Sequence, residues 1–337
     1  MNRTVMIYAA ALVVALIGSY VSWTHESNPR LKDGVVVLDI AEPDLTEIRY
    51  STKDFNVSVT KKKDALGDYV WVDSQREQAI AQAPANPHAP PEPPKPDAPK
   101  QTVKLSFKAG TAVEPVIAAF TPFIAIRTIS ATPEQLEEFG LKEPKGKLEL
   151  VARGKTHTYD VGEEGYGHRN TYLRDVSTGA IYLVDGDAIR PLIRGDERLP
   201  ERRLLDADMW KLDEFDITSG AQTVKFVQKN KSDQQVATWS LAGSDDANAS
   251  ARTWIEKFLR MRSIANPDSV GDAEEVMSIR AVADGKETQI KLLRAQKADG
   301  GEKWYATSTF TRGPVELPFA LASNLADDFP TLVSQQP

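Results

Sequence analysis

Residues 5–23 read VMIYAAALVVALIGSYVSW, a run of 19 residues without a charged side chain. At about 1.5 Å of rise per residue, a helix of this length spans roughly 28 Å, close to the hydrocarbon thickness of a bilayer. No later stretch of the sequence approaches such a run. The sequence therefore predicts a single membrane helix, with four anchor residues: Val5, Leu12, Leu16 and Trp23.

The residues around this run predict its orientation. Arg3 and the N-terminal amine precede it, which favours a cytoplasmic N-terminus and a periplasmic bulk in a single-pass protein of the inner membrane. A cleaved signal peptide is the alternative, but such peptides have a shorter apolar core and small residues at the cleavage site. Residues 19–23 are SYVSW, with bulky side chains at those positions. We therefore favour a retained signal anchor.

Composition bounds the function. The chain has 337 residues, 41% of them hydrophobic and 26% charged, which is enough for two globular domains. The net charge of −7 repels phosphate backbones and argues against nucleic-acid binding. The absence of cysteine excludes disulfides, thiolate metal sites, cysteine nucleophiles and a lipoprotein anchor.

Alternating apolar and polar residues after the anchor predict strands at residues 35–38, 48–50, 55–59 and 69–72. Residues 81–100 then contain eight prolines in twenty positions, which excludes helices and sheet ladders. We interpret this stretch as a solvated loop insertion, and a docking ligand for a partner is the alternative.

The clearest local signal is a helix start at Thr132. Thr132 is a suitable N-cap, Pro133 suits the first helical position, and Gln135 completes a capping box. Gly140 suits the left-handed position after the helix, and Pro144 prevents its continuation.

Two pairs of similar segments indicate an internal duplication. Residues 123–129 (FIAIRTI) match residues 258–264 (FLRMRSI), and residues 150–155 resemble 280–286. The predicted fold class is α+β: an N-terminal single transmembrane helix followed by two tandem, duplicated antiparallel-sheet-plus-helix lobes. The predicted domains are residues 1–24 (tail and anchor), 33–205 (first lobe, with the insertion 81–100) and 206–337 (second lobe).

Several motifs are similar to those of the bacterial family called domain of unknown function 4340. They are TPEQL at 132–136, FGLKEP at 139–144, VG at 161–162, NTYLR at 170–174, IYLVD at 181–185 and ERRLL at 201–205. The resemblance implies an N-terminally anchored envelope protein whose gene often lies beside ABC transporters of the gliding-motility type. It implies a transporter permease and an extracytoplasmic subunit as partners, and it supplies no catalytic residues.

The search for chemistry yields a docking cluster and no catalytic centre. Four arginines are candidate partner-docking residues: Arg194, Arg198, Arg202 and Arg203. No nucleotide-binding loop or serine nucleophile motif is present, so we predict a non-enzymatic protein that binds no nucleotide or cofactor. The predicted function is an accessory subunit of a gliding-type ABC transporter complex, acting through its periplasmic interaction domain.

Three alternatives remain open. A metal site could use His157 and His168 with Asp160 or Glu163, although a polar strand face and a loop explain both histidines. An envelope glycan-acting enzyme could use two carboxylates from Glu163, Glu164, Asp206 and Asp208. A binding module for a polymer or small ligand could have its site between the two lobes.

Overall fold

The computed structural model describes residues 34–79, 99–165, 169–297 and 300–334. The predicted anchor residues Val5, Leu12, Leu16 and Trp23 lie outside these ranges, as do residues 81–98 of the proline-rich stretch. Among the helices of the described ranges, none has the length and apolar character needed to cross a membrane.

Strands dominate the described chain. Its first part contains β1 (Val35–Leu38), β2 (Leu45–Thr52), β3 (Phe55–Asp64), β4 (Gly67–Ala79), β5 (Lys100–Lys108), α1 (Glu114–Ala119), β6 (Phe123–Ala125), β7 (Arg127–Ile129), α2 (Pro133–Glu138), β8 (Gly146–Ala152), β9 (Lys155–Glu164), β10 (Asn170–Asp175), β11 (Ile181–Asp185), α3 (Arg190–Ile193) and α4 (Gly195–Arg198). Its second part contains β12 (Leu212–Ser219), β13 (Gln222–Lys229), β14 (Thr238–Leu241), α5 (Ala249–Arg260), β15 (Glu274–Ala283), β16 (Lys286–Gln296), β17 (Glu302–Ser308), β18 (Pro314–Leu317) and α6 (Phe319–Val333).

These strands form three antiparallel sheets. The nine-stranded sheet has the order β5-β4-β3-β2-β8-β9-β10-β11-β7, and the seven-stranded sheet has the order β14-β13-β12-β15-β16-β17-β18. A separate two-stranded sheet pairs β1 with β6. The two large sheets share one arrangement. In the nine-stranded sheet β2 lies between β3 and β8, and in the seven-stranded sheet β12 lies between β13 and β15. Both β8 and β15 follow a helix in the chain.

The predicted fold class was wrong. The described residues form three sheets and not a membrane helix followed by two sheet-plus-helix lobes. One cause is the match between residues 123–129 and 258–264. The first segment is split between β6 and β7, which belong to different sheets, whereas the second begins in the last turn of α5. Similar apolar patterns have adopted different structures because their tertiary partners differ.

The other matched pair does share a structure. The β8–β9 hairpin turns at Arg153 and Gly154, with φ of 50° and 74°, and the β15–β16 hairpin turns at Asp284 and Gly285, with φ of 48° and 74°. Two consecutive residues with positive φ are typical of the hairpin turn that matches the twist of antiparallel strands.

The helix predicted at Thr132 is confirmed as α2. Thr132 caps it, Pro133 begins it, and Gln135 completes the capping box. The chain then turns at Gly140, with φ of 64°, and passes against β9, where Glu163 N donates to the Phe139 carbonyl at 2.8 Å. Added Cβ atoms at Gly140 or Gly162 would overlap atoms of the opposing segment. These two motif glycines therefore allow the chain after α2 to pack closely against β9.

Two hydrophobic cores stabilise the large sheets. The first lies under β2, β3, β8 and β9 and includes Ile48, Leu148 and Tyr159. The second contains Phe215 of β12, which packs edge-on against Trp254 and Phe258 of α5 with ring centroids 6.1 and 5.5 Å away.

A junction segment, residues 199–206, links these cores. Leu199 belongs to the first core, and Leu204 and Leu205 belong to the second. Its main chain bonds both sides: Glu201 N donates to the Lys108 carbonyl at 2.9 Å, and Ser263 N donates to the Arg202 carbonyl at 2.9 Å.

An ion pair at Arg312 reinforces this junction. Arg312, in the turn between β17 and β18, donates to both carboxylate oxygens of Asp64 at 2.6 and 3.0 Å. Its guanidinium carbon also lies 4.1 Å from the ring centroid of Tyr69. The hydrogen bonds from Arg312 lower the pKa of Asp64 to about 2. The contact joins the β3–β4 hairpin to the seven-stranded sheet.

We expect Gly162→Ala to lower the free energy of unfolding by about 1–3 kcal/mol, because the new Cβ would overlap the Phe139 carbonyl oxygen. Gly165→Ala is the matched control, since its nearest neighbour, Leu183 Cδ1, would lie at 3.4 Å. Urea titration of both variants checks this. Equal stability of the two variants would contradict the packing role of Gly162.

We expect Arg312→Met to lower the free energy of unfolding by roughly 1–3 kcal/mol at pH 7, because two charged hydrogen bonds and a cation–π contact are lost. The pKa of Asp64 is lowered in the folded state, so this stabilisation is present above pH 4 and is lost as the pH falls through about 2. Thermal unfolding between pH 2 and 7 measures both effects.

Lys142→Met is the control for Arg312→Met. Lys142 pairs with Glu137, and both side chains are largely exposed, at 65% and 72%. Such surface pairs contribute little to stability. If Arg312→Met lowers the free energy of unfolding no more than Lys142→Met does, the ion pair between Arg312 and Asp64 does not stabilise the junction.

Candidate functional site

A cleft of about 900 Å³ opens where the two large sheets meet. Its walls come from the β3–β4 hairpin, the end of β5, the residues leading into α1, the junction segment and the turn between β17 and β18. This volume falls within the range of small-molecule sites, roughly 300–1,000 Å³. The polar and aromatic side chains that line it include Lys61, Lys62, Lys63, Tyr69, Lys108, Glu201, Arg203, Asp206 and Phe310.

Lys108 is the most unusual of these residues. It ends β5, and its ammonium nitrogen lies 3.1 Å from the ring centroid of Phe310. Within the described part of the chain, its ammonium donates no hydrogen bond to an oxygen. Burial lowers the pKa of Lys108 to about 8, although the carboxylates of Glu201 and Asp206 act in the opposite direction. The group therefore remains largely protonated at pH 7.

Glu201 lies next to Lys108 because the main chains of the two residues are hydrogen-bonded. Its carboxylate accepts from Arg203 Nε at 3.1 Å, Arg203 Nη2 at 2.9 Å and Arg203 N at 3.0 Å. Burial alone would raise the pKa of Glu201, but these bonds outweigh it and the pKa lies below its usual value. Arg203 Nη1 also donates to Asp206 at 2.9 Å. Both carboxylates are thus occupied by Arg203.

Three consecutive lysines of β3 line the cleft. Lys61 donates to the Glu42 carbonyl at 2.6 Å and to its carboxylate at 3.3 Å. Lys63 lies 3.5 Å from the carboxylate of Asp68, and both are strongly exposed. Lys62 lies 5.4 Å from the ring centroid of Trp71 and has no carboxylate partner among the described residues.

A second concavity is apolar. This groove, of about 360 Å³, is lined by α1, β6 and the end of β11, and it reaches Gly34, the first described residue. Ile126 in its wall is 45% exposed, and Val35 and Val36 in the adjacent β1 are 39% and 49% exposed. An apolar groove with exposed aliphatic side chains beside it is typical of a protein-binding surface.

The four predicted docking arginines lie in or near α4 and in the junction segment that follows it. Arg194 pairs with Glu197, and Arg203 pairs with Glu201 and Asp206. Arg202 donates to the carbonyls of Ser263 at 3.1 Å and Glu197 at 3.2 Å, whereas Arg198 is exposed. Of the four, only Arg203 lines the cleft. Docking through this cluster stays a prediction.

The residues of the alternative chemistries are also placed. His157 lies opposite Leu150 in the β8–β9 ladder, and His168 lies outside the described residues. Asp160 accepts from Arg174 at 2.6 Å, and Glu163 pairs with Lys145. Of the four carboxylates considered for glycan chemistry, only Asp206 lines the cleft. The described residues contain no group of three side chains that could hold a metal ion.

Sequence reasoning missed Lys108 and Phe310. Lys108 sits in a strand rich in lysine and carries no motif. Phe310 could have been noticed in the sequence, because it is a large aromatic residue within the turn-like stretch TFTRG at residues 309–313. Such a residue cannot pack within its own turn and therefore indicates a contact elsewhere or an exposed apolar surface.

These features define a mostly antiparallel, two-core β protein with a charged cleft and an apolar groove. The model of the family described as "Domain of unknown function (DUF4340)" matches residues 109–251. The predicted resemblance to this family is therefore confirmed over that segment. A search of curated proteins finds no match.

A comparison with solved structures finds one described as "Crystal structure of MucB in complex with MucA(peri)". The alignment covers 84% of this chain and 90% of the other, at 10% identity and a TM-score of 0.11. Similarity this low supports no conclusion about fold or function.

We expect the Lys108 amine to titrate near pH 8, measurable by NMR of ¹³C-methylated lysines and assigned with Lys108→Met. Between about pH 8 and the ordinary lysine pKa, the unfolded chain binds a proton that the folded chain does not, so stability rises with pH. The stability of Lys108→Met relative to the native chain should therefore be highest at pH 7 and decline towards pH 10.

The control is Lys104→Met, on the exposed face of the same strand. It removes a lysine that stays in contact with solvent, so its stability is the baseline against which Lys108→Met is compared at each pH. A Lys108 resonance that titrates together with the exposed lysines would refute the burial of its charge.

Proposed function

We propose that the protein is a non-enzymatic interaction protein of the cell envelope. Residues 5–23 would anchor it in the inner membrane, and its periplasmic bulk would act as an accessory subunit of an ABC transporter complex of the gliding type. The observation that supports this proposal most is the apolar groove beside Gly34. Most of its lining, from Pro115 to Ala188, falls within the family segment.

The position of the groove along the chain fits a membrane-embedded partner. Ten residues lie between Trp23 and Gly34. A fully extended chain over the eleven Cα–Cα steps that join them reaches roughly 40 Å at most. The anchor would therefore hold the groove near the periplasmic face of the membrane, where the extracytoplasmic parts of a permease are accessible. The family resemblance is what selects an ABC transporter as the partner.

The groove is suited to an aliphatic segment of that partner. Its walls carry Ala118, Phe123 and Ile126, and two carboxylates, Asp185 and Asp187, also line it. Desolvating an apolar surface of this kind favours association, and Asp185 favours a partner segment with a basic residue at its flank, whereas Asp187 is already paired with Arg190.

The test uses the full-length chain in its native membrane with a photoreactive amino acid at Ile126. We expect irradiation to cross-link it to a transporter permease or extracytoplasmic subunit, identified by mass spectrometry. Ile126→Asp should reduce co-purification of the same partner at least tenfold, because a charge would be buried against an apolar segment.

The matched control is Val176, which is 53% exposed at the opposite end of the β10–β11 hairpin. Neither a photoreactive residue at Val176 nor Val176→Asp should affect the complex. A mature chain in the soluble fraction that begins after Trp23, or cross-links from Ile126 only to proteins unrelated to transport, would refute the proposal.

A ligand-binding module is the second candidate function. The cleft supports it, because its volume suits a small molecule and its walls combine apolar surface with charged groups. No arrangement of the described residues favours the alternative of a glycan-acting enzyme over binding.

A further inference from the structure

The cleft has an apolar interior as well as charged walls. Val70, Val113, Ile117 and Phe310 contribute apolar surface to it, and Tyr69 contributes an aromatic face. Val113 and Ile117 also belong to the first hydrophobic core, so this part of the cleft is fixed by packing. A bound molecule could therefore bury an apolar body there.

The cleft lining has equal numbers of carboxylates and cationic side chains, but not all of them are paired. Its five carboxylates are Glu42, Asp68, Glu114, Glu201 and Asp206. Four of them pair with Lys61, Lys63 or Arg203, and Glu114 is exposed at the start of α1. Two lysines of the lining, Lys62 and Lys108, have no carboxylate partner among the described residues. These two lysines are therefore the cationic groups of the lining that are left to pair with an anionic ligand.

Lys108 is the better anchor of the two. An ammonium group has three donors, and the described chain offers this one no oxygen acceptor. The face of Phe310 stabilises its charge but accepts no conventional hydrogen bond. The nearby carboxylate of Glu201 is already held by three bonds from Arg203. An acceptor for Lys108 must then come from solvent or from a ligand.

We propose that the cleft binds a ligand that carries an oxyanion on an apolar body. The oxyanion, a carboxylate or a phosphate, accepts hydrogen bonds from the Lys108 ammonium, and Lys62 adds positive charge from β3. The apolar body packs on Phe310 and on the aliphatic side chains near α1. This binding is independent of partner docking at the apolar groove, because the two sites share only Ala118.

The test uses the full-length chain in lipid nanodiscs at pH 7, with empty nanodiscs as the blank for partitioning of probes into lipid. Four probes are titrated by ligand-observed saturation-transfer NMR: hexanoate, hexyl phosphate, inorganic phosphate and hexanol. We expect hexanoate, hexyl phosphate or both to bind at least tenfold more tightly than hexanol. The tighter of the two anions identifies the oxyanion.

Two variants test the assignment of the anchor. Lys108→Met should weaken binding of the anionic probes about tenfold or more, since charge-assisted hydrogen bonds are lost. Lys104→Met, an exposed lysine of the same strand, should leave their affinity unchanged. Because methionine removes a half-buried charge at nearly constant length, we expect the Lys108 variant to fold, and circular dichroism and thermal unfolding verify this.

Phe310→Leu tests the apolar body. It should weaken binding of the tighter of hexanoate and hexyl phosphate at least threefold, and leave any binding of inorganic phosphate unaffected. The proposal is overturned if neither hexanoate nor hexyl phosphate binds, if hexanol or inorganic phosphate binds as tightly as the tighter of these two anions, or if the Lys108 variant retains full affinity. None of these outcomes bears on cross-linking at Ile126.

Discussion

The junction segment is hydrogen-bonded through its main chain to both large sheets, and this double attachment determines the geometry around the cleft. Glu201 N is tied to Lys108, the last residue of β5, while the Arg202 carbonyl is tied to Ser263 beyond α5. Leu199 and Leu204, five residues apart, are buried in different cores. Moving one sheet relative to the other would break buried backbone bonds and expose apolar surface. The cleft is therefore a preformed feature of the fold.

Local signals in the sequence predicted local structure well. The capping box at Thr132 and the strand at residues 35–38 are present. These elements depend on contacts between residues close in sequence, or on the alternation of apolar and polar residues. The sheet organisation was not predictable in this way. Residues 123–129 look like one strand, yet β6 pairs with β1 and β7 pairs with β11, and only distant partners decide that division.

The candidate sites were likewise predictable only where their residues are neighbours in the sequence. The arginine cluster was visible because its members are neighbours in sequence, but the ion pairs of Arg194 and Arg203 could not be assigned without the structure. The contact of Lys108 with Phe310 joins residues about 200 positions apart. A lysine at the end of a strand and a phenylalanine in a turn are each ordinary. Their meeting across the junction is what removes the lysine from water and leaves it without an oxygen partner.

The apolar groove lies mostly within the family segment, whereas key side chains of the cleft lie outside it. Residues 109–251 include nearly the whole apolar groove and the junction segment, and the motif residues Phe139 and Tyr172 stack within them at 4.2 Å. Lys62, Lys108 and Phe310 all lie outside that segment. The segment therefore contains most of the groove lining and the backbone that forms one wall of the cleft, but not the lysine proposed to anchor an oxyanion. The proposed partner docking thus depends mostly on residues of the family segment, whereas the proposed anion binding depends on side chains that lie on either side of it.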